Sequence, residues 1–131
     1  MATERMQLLL QLMAAHNNRL AISRQMRSGR GGSIEVFSIR QAEMRQVEGN
    51  IERLKQMISY LPRESDAEAN ELRSSLVSQL SGRMQSIQNA ERRKRTPAEH
   101  EGDRRYNELI DDEIDDLNLQ ISHIRAVLDL M

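Results

Sequence analysis

Three features of this 131-residue sequence predict an all-α fold. The chain is rich in Leu, Met, Gln, Glu, Arg and Ala, which are strong helix formers. The aromatic residues that favour strands are reduced to Phe37, Tyr60 and Tyr106. Apolar residues recur at alternating steps of three and four, the repeat that keeps one helix face turned toward a partner. Together these predict one domain, residues 1–131, built as elongated helical hairpins or a four-helix bundle with coiled-coil-like packing.

The first helix is expected at about 3–27. Leu8, Leu9, Leu10, Leu12 and Met13 make it apolar nearly all round, so it lies centrally in a bundle or meets another chain. Ser28-Gly29-Arg30-Gly31-Gly32-Ser33 is too rich in Gly to continue it and reads as a flexible loop. The second helix, at about 34–61, carries the seam Phe37, Arg40, Met44, Val47, Ile51, Leu54, Ile58 and Leu61, interrupted by Arg40 alone.

Pro62 ends that helix, and a turn near 62–65 follows. Ser65-Asp66-Ala67-Glu68 then matches a capping box, in which Ser and Glu side chains satisfy free amide donors reciprocally. The third helix, at about 66–94, has a looser stripe of Leu72, Leu76, Leu80, Met84 and Ile87, with Gly82 expected to permit a bend or a close contact. A turn near 95–97 leads to Thr96-Pro97-Ala98-Glu99, which offers Thr at N-cap, Pro at N1 and Glu at N3. The fourth helix is accordingly expected at about 97–131, with an uninterrupted seam of Ile110, Ile114, Leu117, Ile121, Ile124, Leu128 and Met131.

A helix of that length spans roughly 50 Å, against a radius of gyration of ~14 Å for a compact domain of this size, hence the expected elongation. Leu119, Val127 and Leu130 fall outside the fourth seam and point to a second neighbour, in the same chain or another. The candidate partner surface is therefore Leu8, Leu9 and Leu12 of the first helix with Ile110, Ile114, Leu117, Leu119, Ile121, Ile124, Val127, Leu128 and Leu130 of the fourth.

Charge is sorted by segment. Residues 1–32 hold five Arg against one Glu, and residues 33–64 hold five charges of each sign. Residues 65–95 hold six basic and four acidic residues, whereas residues 96–131 hold three basic and ten acidic. The net charge of −1 thus conceals a basic start and an acidic end. Either the two lie side by side and set orientation, or each end recruits its own partner.

The stretch Arg92-Arg93-Lys94-Arg95 is the candidate phosphate-binding run of the alternative reading, a nucleic-acid-associated protein. It is also placed where cations oppose the negative end of a helix dipole, and no aromatic residues interleave it. Asp111, Asp112, Glu113, Asp115 and Asp116 put carboxylates at i,i+4 on one helix face. They lack the Gly-containing loop of an EF-hand and the Glu-x-x-His pairs of di-iron bundles, so a solvated or partner-facing acidic surface is expected, with no metal. His16 on the apolar first helix is expected to be packed or hydrogen-bonded rather than catalytic, and His100 lies among acids.

Cysteine is absent, which excludes disulfides, thiol catalysis and Cys-based metal sites. No phosphate loop, zinc motif or nucleophile elbow occurs, so no enzyme and no cofactor are expected. No apolar run reaches the ~18 residues of a membrane span. The Arg-rich first 32 residues, with Met6–Ala15 as the most apolar run, have the composition of a targeting segment as well as that of a buried helix. The expectation is a cytoplasmic protein, or one of another reducing, soluble compartment. Its length and composition resemble those of small helical chaperones and coiled-coil stalk proteins of bacterial secretion and phage assembly. The sequence reads as a non-enzymatic protein–protein interaction module, an assembly scaffold, adaptor or secretion-type chaperone, with a protein partner or self-association.

Overall fold

The computed structural model describes residues 3–28, 32–63 and 67–131. They form four helices and, among the described residues, no strand: α1 (Glu4–Ser28), α2 (Ile34–Ser59), α3 (Ala67–Arg93) and α4 (Glu101–Asp129). α1 pairs with α2, α3 pairs with α4, and the two hairpins join along α1 and α4. Arg5 reaches the Leu130 carbonyl while Arg27 reaches that of Asp112, so α1 and α4 run antiparallel. The apolar first helix is thus the central one.

The main core follows the predicted stripes. Leu8, Leu9 and Leu12 of α1 meet Ile51, Leu54 and Ile58 of α2, with Leu76 of α3 and Ile124 and Val127 of α4. Leu12 and Ile58 are wholly buried, and each such side chain contributes ~1.5–3 kcal/mol. A second, smaller core of Ala90, Ile110 and Ile114, flanked by Ile87 and Tyr106, holds the corner end of the α3–α4 hairpin. The expected close contact at Gly82 is not made, for a Cβ there would meet nothing within 4 Å.

Ser33 opens α2 as its N-cap, its hydroxyl accepting from the Val36 amide at 3.2 Å. α2 ends two residues before the expected Leu61, with Tyr60 as its C-cap. The Ser65–Glu68 capping box and the centre of the Gly-rich loop lie outside the described residues.

The start of α4 departs from expectation. The helix begins at Glu101 rather than 97, and its N-cap is His100, which makes no side-chain capping bond. The Thr96–Pro97 peptide is cis, and Thr96 to Glu99 are non-helical. The competing interaction is with Asn107, whose Nδ2 donates to the Arg95 carbonyl and whose Oδ1 accepts from the Arg95 amide, both at 2.8 Å. Had the helix begun at Pro97, Arg95 would lie roughly 16 Å along the axis from Asn107. Arg95 also packs its guanidinium over the Tyr106 ring at 4.3 Å. These contacts hold residues 94–100 as a loop folded back along α4, and the Thr-Pro box stays open.

Candidate functional site

The basic run and the acidic cluster meet at this corner and neutralise each other. Arg93 Nη2 donates to both carboxylate oxygens of Glu113 at 2.8 Å. Lys94 Nζ lies 2.5 Å from Asp111 Oδ1, and Arg95 Nη1 lies 3.1 Å from Asp103 Oδ1. The hydrogen bond that Lys94 donates to Asp111 raises the Lys94 pKa above the usual lysine value. Arg92 is exposed and makes no ion pair among the described residues. A phosphate at Arg92–Arg95 would have to displace three carboxylates.

Asp116 serves the α1–α4 joint. Arg24 forms a two-pronged bond to Asp116 at 3.0 Å per contact, and Arg27 lies 3.5 Å from the same carboxylate. The Arg24 hydrogen bond, helped by one from Gln120, holds Asp116 below the usual carboxylate range. The basic first helix therefore does lie beside the acidic last one. Exposed pairs of this kind contribute ~0–1 kcal/mol each and act mainly on orientation. Among the described residues, no group of three or more His, Asp or Glu is placed to hold a metal ion.

The candidate partner surface is largely taken up by the chain's own packing. Leu8, Leu9, Leu12, Ile110, Ile114, Ile121, Ile124 and Val127 are buried, and Leu117, Leu119, Leu128 and Leu130 are half-buried. The second neighbour inferred from the surplus apolar positions is thus supplied within the chain, by α1 and α3.

The open apolar surface lies elsewhere, on the first half of α2. Phe37 is 48% exposed, Ile39 57% and Ile34 84%, and Val36 is also half in solvent. Their neighbour α1 covers one side only. A hollow of about 230 Å³ between the helices is lined by Met26, Val36, Phe37 and Arg40 among others. A second, of about 630 Å³, continues along Ile22 of α1 and Glu43, Val47 and Asn50 of α2. Positions 36, 40, 43, 47 and 50 share one helix face, so the two hollows mark one groove along the α1–α2 hairpin.

Sequence reading missed Arg5 and His123 inside the core, whereas His16 is packed as expected. Arg5 is 6% exposed. Its Nη1 donates to the carbonyls of Ile58 (2.7 Å) and Leu61 (2.5 Å), and its Nη2 donates to that of Leu130. One guanidinium thus caps the carbonyl ends of α2 and α4, where helix dipoles favour a cation. His16 of α1 and His123 of α4 stack with ring centroids 4.3 Å apart and an interplanar angle of 24°. Both are buried, and His16 Nδ1, His16 Nε2 and His123 Nε2 have no hydrogen-bond partner. The available signal was positional: Arg5 lies one turn before Leu8 and Leu9, His16 one turn after Leu12, and His123 between Ile121 and Ile124.

No protein-family model, curated protein or solved structure matches the chain. Function rests on the geometry of these surfaces.

Proposed function

We propose that this chain is a non-enzymatic assembly module that associates with a second copy of itself. The docking surface is the α1–α2 groove. Its occupant is the same hairpin of the other copy, laid face to face so that two helical hairpins complete a bundle. The observation that carries this reading is the seam of α2, which runs in sequence from Phe37 to Leu61 with Arg40 as its one interruption but is buried only from Val47 to Ile58. A helix that lays an apolar stripe into a groove is a common recognition mode. Residues 33–64 carry five charges of each sign, so the α2 faces of two copies meet without net repulsion, and of the surplus cations on α1, Arg19 pairs with Glu48 and Arg24 and Arg27 pair with Asp116.

Magnitude sets the expected strength. Two copies bury eight such side chains, four from each, which contributes roughly 6–12 kcal/mol, against ~4–15 kcal/mol of lost freedom on association. Assembly is therefore concentration-dependent, with dissociation in the micromolar range or weaker. Light scattering across concentration should show mass rising from 15.1 kDa toward twice that value. Phe37→Glu should hold the chain at the lower mass. A wild-type mass of 15.1 kDa at every concentration overturns the reading. The nucleic-acid alternative draws no support from the corner, where Arg93, Lys94 and Arg95 face carboxylates.

A further inference from the structure

The stacked histidines form one wall of a cleft of about 290 Å³ between α1, α3 and α4. Its polar lining is His16, Asn17, Gln79, Arg83, Gln120 and His123, and its apolar lining includes Leu20, Leu76 and Val127. Among the described residues, no carboxylate lines it. Arg83 Nε donates to Gln120 Oε1 at 2.6 Å, and Gln120 Nε2 in turn donates to Asp116 Oδ2 at 2.8 Å. That chain aims the Arg83 side chain, while its two terminal nitrogens make no hydrogen bond among the described residues. A free guanidinium fork thus shares the cleft with three unpartnered imidazole nitrogens.

We propose that this cleft binds a small organic anion, a monocarboxylate with a compact apolar body. The carboxylate takes the two-pronged bond that the Arg83 fork is shaped to give. Each neutral imidazole has one N–H to donate as well. The apolar body lies against Leu76 and Val127. A cavity of ~150 Å³ already accommodates benzene, so the space suffices for a phenyl ring and its carboxylate.

Cations are disfavoured. Burial depresses the protonation of both rings, and the charges of Arg19 on α1 and Lys55 on α2 add to it. Arg83 stands on α3, and the nearest acid on α4, Asp116, is engaged by Arg24 and Gln120. A bound negative charge opposes that depression, so uptake of the anion raises the proton affinity of the rings. Binding should tighten as pH falls from neutrality.

The test is imidazole NMR of the full chain titrated with benzoate, with benzamide as its uncharged counterpart and benzylamine as the cation. Benzoate should shift the resonances of both His16 and His123, with benzamide weaker by about tenfold or more and benzylamine silent. Arg83→Gln should remove the preference for benzoate over benzamide while thermal unfolding is unchanged. Gln79→Glu, which sets a carboxylate one turn before Arg83 where it can occupy the fork, should weaken benzoate as well. Equal response to benzoate and benzamide overturns the proposal, as does benzoate binding that survives Arg83→Gln. Silence of both rings, their nitrogens satisfied by cavity water alone, overturns it too.

Discussion

Two stretches of α2 carry the same repeat and meet opposite fates. Ile51 and Ile58 are 3% and 0% exposed, whereas Phe37, on the same seam, is 48% exposed. In the first stretch α1, α3 and α4 close over the stripe, and Arg5 seals its end against the α4 terminus. In the second, α1 is present and the other side is open. A 3.5-residue repeat states that a face requires cover. It does not state whether the cover lies in the same chain. Perturbations aimed at the closed half and the open half should therefore differ in size, and that difference is measurable.

The largest effect is expected from acid on the closed half. Burial lowers the pKa of His16 from 6.5 to about 3 and that of His123 from 6.5 to about 4. The unfolded chain binds protons near the ordinary value and the folded chain does not. Stability is therefore complete above about pH 6.5 and is lost as pH falls, down to about 4 for His123 and about 3 for His16. At pH 5 each ring withholds about 1.5 pKa units, and at 1.36 kcal/mol per unit the two together cost roughly 4 kcal/mol. Urea unfolding at pH 7.5 and pH 5 measures this, and a His16→Gln, His123→Gln double variant should flatten the dependence. Asp116 contributes later, because its stabilisation is intact above the usual carboxylate value and is lost as pH falls from that value toward its own lowered one. A wild-type profile flat between pH 7.5 and 5 would show the rings to be open to solvent.

Next in size is the seal. Arg5→Met keeps the aliphatic bulk but strands the carbonyls of Ile58, Leu61 and Leu130. A buried acceptor left unsatisfied costs ~1–3 kcal/mol, so a total loss of about 3 kcal/mol is expected in urea unfolding. Arg5→Lys should recover little, because a single ammonium does not span three carbonyls as a planar fork does. A loss of under about 1 kcal/mol for the Met variant would mean that water replaces the guanidinium.

Both features lie where residue type and position give opposing signals. The all-α fold, the four helices and most of their bounds were legible, because Leu, Ile and Val repeat with the helix period and Ser33 and Pro62 mark ends. His16 was legible as a packed ring because the first helix is apolar nearly all round, whereas Arg5 and His123 sit on the same stripes with side chains that argue for solvent unless their partners are known. Those partners are 53 to 125 residues away for Arg5, and another helix supplies the ring stacked on His16. The Thr96–Glu99 box failed for a related reason. Its local chemistry was correct, yet the Arg95–Asn107 contacts fix the chain in a form that excludes it. The open groove was invisible because the repeat reads alike on covered and uncovered faces.

The corner supplies a smaller, discriminating test. Asn107→Ala removes both hydrogen bonds to the Arg95 backbone, which is exposed enough for water to replace part of them. About 1–2 kcal/mol should be lost. Thr96→Ala, by contrast, should change stability by less than about 0.5 kcal/mol, because no capping bond is formed there. The reverse ranking would restore the helix start at 97.

The smallest effect is expected at Phe37, and its smallness is the sharpest statement about the open half. In the dilute monomer the ring is already half in solvent, so Phe37→Ala should shift unfolding by no more than about 0.5 kcal/mol. The matched truncation Ile51→Ala, at a side chain only 3% exposed, leaves a cavity and should cost about 2–5 kcal/mol. Concentration then separates an idle surface from a docking surface. Association adds stability by mass action, so wild-type stability should rise as the protein is concentrated, while that of Phe37→Ala should rise less. The gap between the two proteins should open with concentration, and the gap between wild type and Ile51→Ala should open in the same way only if that variant also fails to assemble. A Phe37→Ala loss above about 1 kcal/mol already present at high dilution would place the ring inside the folded monomer, and the groove would then be closed.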